Sequence, residues 1–238
     1  MKVRVRFTKS GPVKFIGHLD VMHFFQQLLR RSGIPIAYST GMSPHQIMSF
    51  ALPLGIGLES EGEYMDIEIN DAVPSARALQ SMNSHSVEGI EILSFKALPE
   101  GALNAMASVT AADYEVSFRE GFLPAFDLGA AMAELFSRDS VTVIKKTKKS
   151  EKETDLKPLV YSFEAFKDRL ILKLSCGSVD NIKPELVMKA LYGMYDMELC
   201  EYALRIKRLD MYTGERDALK SLDSIGSNID DQGDSNRI

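Results

Sequence analysis

KVRVRFTKSGPVKFIGHLDVMHFFQQLLRR, Lys2–Arg31, changes its hydrophobic period in the middle, and that change sets the fold class. In Lys2–Lys9 the apolar residues Val3, Val5 and Phe7 alternate with Arg4, Arg6 and Thr8, the period of a half-buried strand. From Asp20 to Arg31 the apolar residues Val21, Phe24, Phe25, Leu28 and Leu29 recur at helical spacing, with Asp20, His23, Gln27, Arg30 and Arg31 on the other side. Gly33 and Pro35 end that helix. A strand, a helix and a second strand at Ile36–Ser39 therefore open the chain. Ile47–Leu54 and Tyr64–Ile69 then read as a hairpin, Pro74–Met82 as a helix and Ile90–Ala97 as a strand.

The same order returns after PEGALNAMAS. Tyr114–Arg119 is a strand, Leu128–Phe136 a helix and Val141–Lys146 a strand; a hairpin follows over Leu159–Cys176, then a helix at Pro184–Tyr192 and a strand at Glu201–Leu209. Two rounds of β-α-β-β-α-β predict an α+β protein of two tandem ferredoxin-like halves packed side by side, each with its helices on one sheet face. The expected boundaries are 1–99 for the first half, 100–112 for a connection, 113–212 for the second half and 213–238 for a flexible tail rich in Ser, Gly, Asn and Asp.

Composition excludes several classes. The 238 residues carry a net charge of −5 with 45% hydrophobic and 26% charged residues, which disfavours disorder and coiled coil and gives no whole-molecule attraction to nucleic acid. MKVRVRFTK alternates instead of forming an apolar leader, so the expected location is the cytoplasm, away from membranes. The two cysteines, Cys176 and Cys200, are too few for a four-ligand zinc or iron–sulfur site, so no metal or cofactor is expected. GxxxxGK[ST], GxSxG, HExxH and a helix-opening GxGxxG are all missing from the sequence.

Three groups of residues could carry function. The stretch TGMSPHQ concentrates Gly41, Ser43, Pro44 and His45 after the second strand, and KKTKKSEKETDLKP holds the equivalent place in the second round. Both are expected as loops bordering one groove, although turn residues crowd into loops regardless of function. His18 and Asp20 stand at the start of the first helix, where Asp20 can cap and a histidine can donate to an anion or move a proton. Lys145, Lys146, Lys148 and Lys149 form a cluster able to neutralise RNA phosphates, or simply a solvated charge run diluted by Glu151, Glu153 and Asp155. Arg4 and Arg6 are expected to pair with Asp66 and Glu68 across neighbouring strands.

The string from Val5 to Tyr64, with GHLD at Gly17–Asp20 and GMSPHQ at Gly41–Gln46, resembles the radical-SAM-linked protein family, a bacterial domain found alone or attached to radical SAM proteins. KKTKKSEKETDLKP resembles that family's second block, and the likeness runs to about Leu209. The resemblance implies an accessory role near a radical enzyme or in RNA and ribosome metabolism, with tRNA or rRNA as a candidate ligand. Two other readings stand beside it. One is an RNA- or nucleotide-modifying enzyme using His18 and His45 as acid and base with Asp20 orienting an imidazole; the other is a protein-binding adaptor.

Overall fold

The computed structural model describes residues 1–146, 151–177 and 180–230. In chain order the elements are β1 (Lys2–Lys9), α1 (His18–Arg31), β2 (Met48–Phe50), β3 (Glu59–Glu68), α2 (Ser75–Ser84), β4 (Ile92–Ala97) and the single turn α3 (Ala105–Ser108). They continue as β5 (Ala111–Phe118), α4 (Leu128–Ser137), β6 (Thr142–Lys146), β7 (Glu151–Asp155), β8 (Val160–Ala165), β9 (Arg169–Ser175), α5 (Pro184–Gly193), β10 (Leu204–Thr213), β11 (Lys220–Ser221) and β12 (Ser227–Asn228). The chain divides into two compact units, one of Met1–Val109 with the residues from Asp210 onward, the other of Thr110–Leu209.

In the first unit β1 lies between β3 and β4, antiparallel to both, and β2 pairs with the far end of β3. Alternation explains which face is buried. Val3, Val5 and Phe7 of β1, Met65 and Ile67 of β3 and Ile92 and Phe95 of β4 share one core with Val21, Phe25, Leu28 and Leu29 of α1 and Ala78 and Met82 of α2. The end of α1 is fixed by its backbone. Gly33, at φ +67°, lets its own N–H reach the Arg30 carbonyl and the Ile34 N–H reach the Leu29 carbonyl, the paired bonds of a Schellman stop.

In the second unit β5 pairs antiparallel with β9, and β9 with β8. α4 begins at Asp127, whose carboxylate accepts the Ala130 N–H at 2.7 Å, and it buries Leu128, Ala131, Met132 and Leu135. α5 contributes Val187, Met188 and Leu191 to the buried set, and β5 and β9 contribute Tyr114, Val116, Leu170 and Leu172.

The expectation of two tandem ferredoxin-like halves packed side by side is corrected. The protein is a mixed α+β chain of ten sheet strands, ordered β12-β4-β1-β3 with β2 on β3 in the first unit and β5-β9-β8 in the second, with β11 on β10. Three features of the chain account for the difference. β10 does not stop at Leu209: its ten residues run on through Asp210–Thr213, which belong to the first unit, so one strand serves both units. The Val141–Lys146 segment, expected as a sheet strand, pairs among the described residues with β7 in a separate two-stranded ribbon, and Glu151–Asp155, expected as part of the loop after it, is that second strand. Residues 213–230, expected as part of a flexible tail, return to the first unit, burying Leu222 completely and adding β12 to β4. Smaller differences concern Ile36–Ser39, which makes only the isolated bridges Ile36↔Ile69 and Tyr38↔Gln46. Among the described residues no helix is long and apolar enough to cross a membrane.

Candidate functional site

A small concavity of the first unit forms where β1, β3 and the start of α1 meet. Two chain features violate the alternation that builds the core. Lys9 continues the buried series Val3, Val5, Phe7, and Glu63 continues Ile69, Ile67, Met65, yet both are charged and both stay buried, at 3% and 6% exposure. The Lys9 ammonium donates to the Ile16 carbonyl at 3.0 Å, and neither charged group lacks a partner. With Phe7, His18, Val21, Phe50, Pro53 and Leu54 they line a small cleft. It has room for a water molecule or a small side chain, far less than a nucleotide needs.

His18 is the first residue of α1, set there by Gly17, an extended N-cap that offers the helix no side-chain acceptor. Its imidazole stands edge-on to Phe50, with ring centroids 5.2 Å apart, and Phe50 packs in turn on Phe25 at 5.7 Å and Phe7 at 6.1 Å. Asp20, expected as a cap, lies inside the first turn and makes no capping bond. A Cβ built on Gly17 would lie 3.6 Å from its carboxylate, so this acid faces the uncapped end, where it complements the helix dipole and repels a bound anion.

Next in sequence to the cleft residues and their turns stand three exposed apolar side chains. Phe15, Leu19 and Ile56 are 65%, 65% and 68% exposed. Phe15 ends a short 3-10 turn over Gly11–Phe15, with the Lys14 ammonium 5.5 Å from its ring centroid and bonded to Glu59 at 2.7 Å. The glycines of GIGLESEG serve this rim: Gly57, at φ +86°, donates its N–H to the Lys14 carbonyl at 2.8 Å, which holds the Ile56 turn against the Phe15 turn.

His45 is placed elsewhere. Its Nδ1 is 2.8 Å from the Ser39 hydroxyl, which also accepts the His45 backbone N–H at 3.1 Å. The neighbouring Gln46 is buried and donates to the Gln26 carbonyl at 3.2 Å, while its Oε1 has no hydrogen-bond partner. Gln26 is eight residues along α1 from His18, about 12 Å of helix rise. His18 therefore lines the cleft and His45 is tied to the middle of the same helix, outside it. Gly41 (φ +124°), Ser43 and Pro44 are exposed in the loop before His45.

The lysine group is divided by the ribbon. Lys145 stands opposite Lys152 and donates to the Asn181 carbonyl at 2.9 Å, and Lys146 stands opposite Glu151. Lys148 and Lys149 lie outside the described residues. Arg4 pairs with Asp66 as its register requires, through Nε–Oδ1 at 2.8 Å and Nη2–Oδ2 at 3.0 Å. Arg6 faces Tyr64 instead of Glu68, its guanidinium 5.9 Å from the ring centroid. Among the described residues no group of His, Cys, Asp or Glu could hold a metal ion.

Residues 2–184 match the family model described as an uncharacterized protein conserved in bacteria (DUF2344). The chain belongs to this family. Among curated proteins none matches it in sequence. The family match contains the cleft, its apolar rim and the His45 loop, and it ends at the first residue of α5. The features that sequence patterns missed are Lys9, Glu63 and the exposed Phe15, Leu19 and Ile56. Only the first two left a signal, a charge in phase with the buried face of a strand.

Proposed function

We propose that the protein is a noncatalytic accessory module that presents a substrate to a partner enzyme and docks that partner through the rim of Phe15, Leu19 and Ile56. The observation that carries this reading is a cleft too small for a nucleotide together with three large apolar side chains about two-thirds exposed on the neighbouring turns and helix start, two of which, those of Phe15 and Ile56, are held together by the Gly57–Lys14 bond. A protein side chain fits such a depression, and the surrounding apolar area supplies the driving force, about 1.5–3 kcal/mol for each such side chain fully buried. The resemblance to radical-SAM-linked proteins makes a radical SAM protein of the same bacterium the first partner to examine. An acid–base role shared by His18 and His45 has less support, because the two are anchored to different parts of α1.

The experiment measures binding of purified radical SAM proteins to the full-length chain by biolayer interferometry. A Phe15→Ser/Leu19→Ser variant is expected to lose at least tenfold in affinity, and Lys145→Glu to leave it unchanged. Undiminished binding by the double variant, or binding of tRNA that the rim substitutions weaken instead, overturns the reading.

A further inference from the structure

The sheet face of the first unit opposite α1 and α2 is organised in two rows. One runs Lys96, Arg4, Asp66 across β4, β1 and β3; the next runs Ser94, Arg6, Tyr64. Within these rows three cations and one aromatic ring stand beside the Asp66 carboxylate, and the Asp210 carboxylate accepts the Tyr64 hydroxyl, within a chain whose net charge is −5. Cations flanking an aromatic ring on a flat sheet face suit single-stranded RNA, where phosphates take the charges and a base stacks on the ring.

That face is covered by the chain itself. After Gly214 the segment from Glu215 to Ile229 crosses it, and its contacts imitate what a nucleic acid would offer. Lys96 donates to the Asp223 carboxylate at 2.6 Å and to the Asp223 carbonyl at 2.8 Å, Ser94 donates to the same carboxylate, and Arg4 donates to the Leu222 carbonyl at 3.4 Å. Ser221 approaches the Tyr64 hydroxyl at 3.4 Å and donates to Asp210 at 2.8 Å. The segment from Glu215 to Asp230 holds Glu215, Asp217, Asp223 and Asp230 against Arg216 and Lys220, an acidic cover on a basic face. It is pinned by Leu222, by the short pairing of β12 with β4, and by Ile229, whose N–H and C=O both bond Ser75.

We propose that residues 214–229 are a displaceable strap, and that the face beneath it, carrying Arg4, Arg6, Tyr64 and Lys96, binds single-stranded RNA when the strap leaves. Asp223 occupies the phosphate position in the closed form. Arg4 keeps its bond to Asp66 in both forms, and the Arg6 guanidinium donates to the Glu61 carbonyl at 3.2 Å, so Lys96 supplies the charge that changes partner and Arg6 stands beside it. Affinity for RNA is reduced by the fraction of molecules that are closed, and loosening the strap raises it by the same factor. This inference stands apart from the docking rim, which lies on other residues.

The test uses the full-length chain and a fluorescein-labelled twelve-nucleotide oligouridylate, read by anisotropy at low salt. Asp223→Asn, and separately Leu222→Ala, are expected to tighten binding at least tenfold over the unsubstituted chain, and adding Lys96→Glu with Arg6→Glu to either is expected to abolish the gain. Because Leu222→Ala removes a core contact, hydrogen exchange of the unsubstituted chain supplies a second measurement: oligouridylate should speed exchange in 216–229 and leave α1 protected. Unchanged affinity in both loosened variants, equal binding of a duplex of the same length, preference for an acidic peptide, or strap exchange no faster than that of α1 with RNA present each overturns the proposal.

Discussion

Asp66→Ala isolates the strongest polar contact in the first unit. Arg4 and Asp66 are buried to 2% and 9% side-chain exposure, joined by a two-pronged bond, and Asp66 also accepts the Ala105 N–H at 2.7 Å where α3 begins. Removing the carboxylate leaves a guanidinium in the interior with only the Leu222 and Leu103 carbonyls, at 3.4 and 3.2 Å, and strands one backbone donor. Breaking a buried pair from one side costs about 3–5 kcal/mol, a large share of the roughly 5–15 kcal/mol that holds a domain together. Removing both partners with Arg4→Met/Asp66→Leu avoids the orphaned charge and should cost no more than about 2 kcal/mol, mainly for the unpaired backbone groups. The chain has no tryptophan, so urea unfolding is followed by far-UV circular dichroism, with hydrogen exchange in β1 and β3 reporting the first unit separately. A single variant that loses less than about 1 kcal/mol, or a double variant that loses more than the single, refutes the account of this pair as buried and mutually dependent.

Gly89→Ala should destabilise the first unit by about 2 kcal/mol or more in the same assay, because Gly89 sits at φ +91° and a Cβ there would lie 2.3 Å from the Ser10 carbonyl. Asp223 is raised by burial, but hydrogen bonds from Lys96 and Ser94 and the charge of Arg6 prevail and hold it below the usual carboxylate value. A depressed carboxylate stabilises above its unfolded pKa and loses that contribution as the pH falls through its folded one, so strap protection measured by hydrogen exchange should fall below about pH 4 and Asp223→Asn should flatten the dependence. Tyr64 is pushed well above the ordinary tyrosine value by burial first and by the charge and hydrogen bond of Asp210 next. Its contribution is complete below about pH 10 and is lost as the pH rises beyond it, so Tyr64→Phe should remove a late step from the ultraviolet titration of the folded chain.

Local periodicity located most elements and failed where pairing partners decide. Val3, Val5, Phe7 and Val21, Phe25, Leu28 announce β1 and α1 because one face of each is buried within its own unit. Val141–Lys146 has the same strand-like look, but a strand's neighbour is chosen by register and not by its own pattern, and this one found β7 through Ile144↔Glu153 and Lys145↔Lys152. The tail defeated compositional reasoning for a related reason. Ser, Gly, Asn and Asp mark a segment poor in apolar anchors, yet Leu222 alone is fully buried and polar side chains on the sheet supply the remaining bonds. Gly226 fits there because any Cβ would come within 2.8 Å of the Ala97 carbonyl and the Lys96 side chain.

The candidate site was legible only where it breaks a rule. His18 was found by its place at a helix start, but the cleft it lines is defined by Lys9 and Glu63, charges set at core positions of β1 and β3. A buried ammonium or carboxylate costs several kcal/mol unless it is compensated, and the Lys9 ammonium is compensated in part by the Ile16 carbonyl. Methionine at position 9 would fill the same volume with no charge to compensate, while leaving the Ile16 carbonyl without that ammonium. If the pair serves only stability, Lys9→Met/Glu63→Gln should fold as well as the parent and dock its partner with the same affinity. If the charges orient His18 and the rim, the double variant should keep its unfolding midpoint and lose docking, and that separation of stability from binding is what assigns the cleft a function.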